Sequence, residues 1–329
     1  MAFPVTRSKP RLAALCFLFC LSAIAGGHAA ENYPAKAIRL IVPFGAGGPR
    51  DVQARLIGAH LNKVWGQALI IDNRGGANGI IGTELAARAD ADGYTLLMIS
   101  AGFAVNATLY PRLPYDTLRD FAPVALLSSG PGLFVITPGL PYKTMGDLIE
   151  AARTRRTELF FASAGTGAPS HLAGELFKLM AHINMTHVPY KGMAAGITDV
   201  VAGRVQISIP TIPGALPLAR AGKLRALAVT GEKRSPAAPE IPTVAESGVA
   251  GYAATNWYGI AVPAKTPLPV IAKLNAQLNL ATQAGETRER LLEIGMEPEG
   301  GGSAAFSGFV KNEIGKWARV IKATGLKAE

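Results

Sequence analysis

Short apolar runs alternate with helix-period patterns along most of the chain. The runs predict strands at Arg39–Val42, Ala68–Asp72, Thr95–Ile99, Val124–Leu127, Leu133–Ile136, Leu159–Ala162, Thr186–Val188, Val205–Ile209, Leu224–Thr230 and Tyr258–Val262. Between them, Ala54, Ile57, Leu61 and Val64 recur at helical spacing, as do Leu172, Leu176 and Leu179 within Pro169–Ala181. Ile271, Leu274 and Leu278 mark a late helix, and Phe306, Phe309 or Val310, Ile314 and Trp317 mark the last one. Thr144 with Asp147 reads as a capping box. Strand–helix alternation predicts an α/β protein with mostly parallel sheets, and the length suggests two domains. The uncharged stretch Phe121–Tyr142 is long enough to span a membrane, but its prolines and glycines divide it into two short buried strands.

The loops carry more information than the elements. Ligands of open α/β sheets bind beyond the carboxyl ends of strands. Val42-Pro43-Phe44-Gly45-Ala46-Gly47-Gly48-Pro49-Arg50-Asp51 joins a strand to a helix through a glycine turn. A bound group can approach such a backbone closely, and the helix directs unpaired N–H groups and its positive end at the turn. This is an anion cradle that needs no charged side chain. Arg74–Gly79 follows a second strand. Ser163-Ala164-Gly165-Thr166-Gly167-Ala168-Pro169-Ser170-His171 follows a third and opens another helix. Two glycine turns feeding helix N-termini, far apart in sequence, suggest one jaw from each of two domains.

Composition changes this picture in two ways. Arg7, Lys9 and Arg11, the apolar run Leu12–Ala25 and the small residues near Ala29 read as a secretory leader, residues 1–30, with cleavage after Ala29 or Ala30. The two cysteines of the chain, Cys16 and Cys20, both lie in that segment, which removes disulfides, thiol chemistry and cysteine metal sites from the mature chain. An exported chain of this kind fits a bacterial periplasm. The charge of +10 falls to +7 once the three leader cations are removed. The remaining basic residues, such as Arg153, Arg155, Arg156 and Lys311, lie at helical surface spacing without aromatic interleaving, so nucleic acid is not a partner. A mild attraction for anions remains.

Several motifs resemble the substrate-binding proteins of tripartite tricarboxylate transporters, the Bug family. They begin with Tyr33–Phe44, Ala46-Gly47-Gly48 and Asp51, and continue through Asn73-Arg74, Gly76–Gly79, Gly82 and Asp92–Leu96. They resume at Gly165-Thr166-Gly167, His171-Leu172 and Glu175–Phe177, and at His187–Gly192 with Asp199 and Gly203. Pro242–Glu246 and Trp257-Tyr258-Gly259 complete a match that runs in order through the whole mature chain. The resemblance implies an α/β, two-lobed periplasmic binding fold of the type II-like, Venus flytrap kind, with two crossover strands. It places domain 1 at 31–130 plus 258–329 and domain 2 at 131–257. It implies a monomer that captures a small carboxylate between the lobes: an organic acid, an amino acid or an aromatic acid. Handover to membrane transporter subunits follows. A sensor module presenting its ligand to a signalling receptor would capture ligand identically. No cofactor and no metal are implied.

The candidate ligand-binding residues are Phe44, Gly45, Ala46, Gly47, Gly48, Arg50 and Asp51 in the first loop, Ala77 and Asn78 in the second, and Ser100 after the third strand. The other jaw contributes Ser163, Gly165, Thr166, Gly167, Ser170 and His171, with Lys191 and Asp199 beyond. Two positions depart from the family's pattern. Arg50 stands where a small hydroxyl residue is usual, and Ala168 where serine is usual. Arg50 either grips a carboxylate bidentately or, on the favoured reading, points to solvent from the first helical turn. Asp51 either complements the helix dipole or bonds a ligand hydroxyl, amine or bridging water. Phe44 forms an apolar wall or props the loop. Lys191 lies near the cleft or pairs with Asp199.

Enzymatic readings fail on the residues. Ser170 and His171 are adjacent on a helix and point apart, and the chain has no G-x-S-x-G elbow. His171 is expected to cap or orient its loop. His182 and His187 have no ligand partners at metal spacing, and His60 belongs to a surface. Gly45-x-Gly47-Gly48 is not a dinucleotide fingerprint. The leader assignment is checked by intact mass of exported protein. The expected N-terminus is Ala30 or Glu31, and a mass that retains Cys16 and Cys20 contradicts it.

Overall fold

The computed structural model describes residues 33–154 and 158–327. The expected leader and the expected surface cations Arg155 and Arg156 lie outside the described residues.

Two sheets carry the architecture. The first is six-stranded, in the order β11-β4-β10-β3-β1-β2. Its strands are β1 (Ile38–Val42), β2 (Leu69–Asn73), β3 (Thr95–Ser100), β4 (Phe121–Pro131), β10 (Thr255–Pro263) and β11 (Glu297–Pro298). The second is five-stranded, in the order β7-β6-β8-β5-β9. It contains β5 (Leu133–Ile136), β6 (Phe160–Ser163), β7 (Thr186–Pro189), β8 (Ile207–Ser208) and β9 (Arg225–Val229). Ten α-helices of the described residues surround them: α1 (Pro49–Trp65), α2 (Ile80–Ala87), α3 (Ala101–Leu109), α4 (Met145–Arg153), α5 (Pro169–Ala181), α6 (Met193–Val201), α7 (Ile212–Arg220), α8 (Leu268–Gln283), α9 (Gly285–Glu293) and α10 (Ser303–Thr324).

The expectation of mostly parallel sheets is corrected. The strand–helix units pair in parallel, β1 with β2 and β3, and β6 with β7 and β8. The strands that carry the chain between sheets do not. β10 runs antiparallel to β3 and β4, and β5 runs antiparallel to β8 and β9. A chain that leaves one sheet for another and later returns enters each from the opposite end. β4 is also longer than expected, because Phe121–Pro131 stays extended through its prolines and only Gly132 separates it from β5. No helix of the described residues is long and apolar enough to cross a membrane.

The central strands are buried on both faces, as helix-covered strands must be. Ile38, Leu40 and Val42 face a cluster with Ile57, Leu61, Leu274 and Leu278, while Ile41 faces the opposite side. That opposite cluster spans both sheets, from Ile41 and Leu97 through Phe103, Trp257 and Trp317 to Phe134, Phe161 and Phe177. Helix α10 packs on α3 and β4 of the first sheet's side and on α5 of the second's, and so bridges the two. Its buried Glu313 accepts hydrogen bonds from the indole N–H of Trp257 and of Trp317, each at 3.0 Å. Two periodicity assignments are corrected: Val64 and Leu179 lie at the exposed margins of their apolar stripes, whereas Ala54, Ile57, Leu61, Leu172 and Leu176 are buried. The capping box forms as expected, with the Thr144 hydroxyl accepting from Asp147 N–H and the Asp147 carboxylate from Thr144 N–H.

The two passages between the sheets meet at Thr230. Its buried hydroxyl accepts from Gly132 N–H at 2.7 Å and donates to the Ala254 carbonyl at 2.6 Å. The Thr230 backbone bonds the same two residues, donating to Gly132 O at 2.9 Å and accepting from Ala254 N–H at 2.8 Å. Glycine is required at 132, since a Cβ there would lie 2.9 Å from Ile209 Cγ2. Thr230→Val keeps the shape and strands a buried donor and acceptor, so it should cost about 2–4 kcal/mol in urea unfolding. An unchanged midpoint would contradict this role.

Candidate functional site

The first loop is held by its own helix. Asp51, in the first turn of α1, is buried, and its Oδ2 accepts from Gly47 N–H at 2.9 Å and from Arg55 Nε at 2.9 Å. The hydrogen bond from Arg55 holds the Asp51 carboxyl below the usual carboxylate range. Asp51 therefore combines dipole complementation with a brace that fixes the turn, and it occupies the Gly47 N–H itself. Gly47 adopts φ 81°, which favours glycine there. Gly45 and Ala46 are exposed and Gly48 is partly exposed, and Gly48 caps α1 without a side-chain hydrogen bond.

The second loop supports the first from beneath. A Cβ on Gly75 would lie 3.3 Å from Gly45 N, and one on Gly79 3.1 Å from the Phe44 ring, so the two loops pack backbone to backbone. Ala77 and Asn78 take left-handed conformations, φ 45° and 52°, an uncommon state for non-glycine residues. Asn78 is secured by Asn106, which accepts its amide at 2.9 Å and donates to its carbonyl at 3.0 Å. Asn106 was not anticipated from sequence, because only the approach of α3 gives it this partner.

Arg50 corrects the expectation that it points to solvent. Its guanidinium lies 3.7 Å from the Phe44 ring centroid and 5.5 Å from that of Tyr258. Its Nε donates to Ser100 Oγ at 3.2 Å. Burial pushes its pKa down, and no acidic side chain of the described residues pairs with it. Phe44 thus serves both expected roles, packing over Gly79 and flooring the guanidinium. Tyr258 was missed because it comes from β10, at the far end of the sequence. Ser100 is the N-cap of α3 and makes no capping bond of its own, so its oxygen is available to Arg50.

The third loop is sewn to the start of α5. Ser170 Oγ accepts from Ala164 N–H at 3.0 Å, and His171 Nδ1 accepts from Gly167 N–H at 3.0 Å. His171 thus orients its loop, as expected. Ser163 is buried and its hydroxyl is shared among Gly165 N–H, Gly165 O and His187 Nε2, the last at 2.6 Å. Gly165 and Gly167 both have positive φ, Thr166 is exposed at the tip, and Ala168 caps α5 without a side-chain bond. A Cβ on Gly167 would lie 3.6 Å from Leu109 Cδ2, so this loop reaches the end of α3. Ala101 and Ser170 line one recess, which links the start of α3 to the start of α5. Lys191 is exposed, and Asp199 pairs instead with Tyr190 Oη and Arg204 Nη1, both at 2.8 Å.

No group of three metal-ligating side chains that includes His187 exists among the described residues. The position of His187 is informative nonetheless. Parallel pairing of β6 with β7 sets His187 opposite Phe161, and its ring stacks on His171 with centroids 3.6 Å apart and planes 8° apart. Burial first, and then the neighbouring His171 ring and Lys178 ammonium, pull its pKa down to about 4, against the pull of Glu175. A depressed imidazole pKa makes stability complete above the unfolded value of 6.5 and erodes it as pH falls towards 4. Wild-type melting temperature should therefore fall between pH 7 and pH 4.5 more steeply than that of His187→Gln. Parallel curves would contradict this.

With the geometry in place, known proteins supply the context. The pattern of the tripartite tricarboxylate transporter family receptor matches residues 53–326. Protein BugT of Bordetella pertussis is 37% identical over 320 residues, covering 96% of this chain and 98% of BugT. An R. palustris protein solved with adipate is 38% identical, with a TM-score of 0.74 over 90% of this chain and 99% of that one. MatC from Rhodopseudomonas palustris, solved with bound malate, is 32% identical, with a TM-score of 0.70 over 88% of this chain and 100% of MatC. The two-sheet α/β architecture is that of these periplasmic binding proteins. The chain belongs to the tripartite tricarboxylate transporter receptor family, a family of solute-binding proteins and not of enzymes.

Proposed function

We propose that this chain is a periplasmic solute-binding protein that captures a small dicarboxylate between two lobes and delivers it to a tripartite tricarboxylate-type membrane transporter. One observation carries the reading. The N-termini of α1, α3 and α5, none capped by a side chain of its own, are linked at one place through the Arg50–Ser100 bond and the Ala101–Ser170 recess. Helix N-termini favour negative charge, and unpaired N–H groups there bond carboxylate oxygens directly or through water.

The lobes take residues 31–130 plus 258–329 and residues 131–257, each built on one sheet and hinged where Thr230 joins the two passages. The first lobe presents Phe44–Gly48, Arg50, Asp51, Ala77, Asn78 and Ser100, with Asp51 and Asn78 acting through the loops they hold. The second presents Ser163–Gly167, Ser170 and His171, with Lys191 and Asp199 at its rim. Closure of the lobes buries the ligand and creates the surface that the membrane subunits read. The relatives solved with adipate and with malate support a dicarboxylate ligand, since both acids carry two carboxylates.

Protein freed of copurified ligand by unfolding and refolding should melt higher in the presence of its dicarboxylate. At a hundred times Kd the gain is about 2.7 kcal/mol, a shift of several degrees. A panel of adipate, malate, succinate and longer or aromatic acids that produces no shift would contradict the reading.

A further inference from the structure

We infer that Arg50 is the specificity-determining residue of this site: its guanidinium takes the second carboxylate of the ligand, while the backbone of the Gly45–Gly48 turn takes the first. The inference rests on the carboxylate-capture reading and assigns one of its contacts.

Four observations converge on Arg50. The first is the missing partner. The other arginines around the first loop are matched to acids: Arg39 and Arg74 to Asp72, and Arg55 to Asp51. Arg50 precedes Asp51 directly, yet that carboxylate is turned to Gly47 N–H and Arg55. Among the described residues Arg50 makes no ion pair, and only its Nε is hydrogen bonded. A half-buried guanidinium whose two terminal nitrogens lack acceptors carries a desolvation cost that an incoming anion offsets.

The second observation is orientation. The Phe44 ring beneath, Tyr258 alongside and Ser100 Oγ on Nε fix the guanidinium plane. The donors left over are on the two terminal nitrogens, and a planar fork fixed in this way suits a carboxylate. The third is the condition of the turn. Asp51 consumes the Gly47 N–H, so the backbone cradle has fewer donors than its glycines suggest. The turn serves one carboxylate and has little left for another. The fourth is the sign of the local charge. Asp51, which would repel a dianion if it faced the ligand, is buried and neutralised by Arg55, whereas Arg50 is not neutralised. The site therefore favours a second negative charge.

Pairs of acids of matched length test this, by calorimetric titration of refolded, ligand-free protein. Adipate is set against hexanoate, and succinate against butyrate, on wild type and on Arg50→Gln. Melting curves of the unliganded proteins establish that the variant is folded. Wild type should prefer at least one diacid to its monoacid by about tenfold or more, the range of a charge-assisted contact. Arg50→Gln should weaken that diacid by a similar factor, leave the monoacid within about threefold, and so abolish the preference. Equal losses for diacid and monoacid would place Arg50 on the shared carboxylate and overturn the assignment. Unchanged affinities would reduce Arg50 to a packing residue on Phe44 and overturn it as well. Wild type that binds none of these acids, nor any of the wider carboxylate panel, would remove the capture reading itself. A folded wild type that binds diacids with Arg50→Gln indifferent would remove only the Arg50 assignment.

Discussion

The two passages of chain between the sheets are tied together at one residue, Thr230. The chain leaves the first sheet at Pro131 and returns to it at Thr255, and hydrogen bonding ties those two passages together. Thr230 supplies it, bonding Gly132 on one side and Ala254 on the other through side chain and backbone together. A buried donor and acceptor at such a crossing must be satisfied, and a hydroxyl satisfies both. Gly132 follows from the same constraint, because no side chain fits between Ile209 and Thr230. Helix α10 then bridges β4 and α5, with Glu313 joining Trp257 of β10 to the helix.

On that frame, the proposed anion recognition separates into rigid backbone and Arg50, which has no acidic partner among the described residues. Each loop is stiffened from below by a side chain of the helix it opens: Asp51 holds Gly47, and His171 holds Gly167. These braces limit the conformational freedom that glycine turns would otherwise lose on the proposed binding. They also consume N–H groups that a sequence reading assigns to ligand. The local charges are arranged accordingly, with Asp51 neutralised by Arg55 and Arg50 left without an acid. Behind the third loop, the His187 ring lies flat on His171, so the neutral form of His187 is the one that fits.

Much of the fold was legible because it is local. Every strand except the two-residue β11 left an apolar run, the Thr144 cap left its own signature, and the glycine loops were visible as turns feeding helices. Errors arose where partners are distant. The run Thr95–Ile99 continues into α3 without a change in polarity, so that helix left no period to read. The antiparallel pairings of β10 and β5 depend on the chain's return between sheets, which no window of sequence contains. Arg50 faces inward because Phe44, Ser100 and Tyr258 enclose it, and Tyr258 belongs to another part of the chain. His187 acquires meaning only once β6 and β7 pair.

The central claim is that one ligand is held by loops from both sheets at once. Amide hydrogen exchange of the ligand-free protein, with and without saturating dicarboxylate, addresses it most directly. The account predicts slower exchange in residues 44–50 and in residues 163–171 together, with residues 131–133 and 230–254 following as the lobes close. Slowing confined to one of the two loops, or confined to a surface away from both, would contradict it.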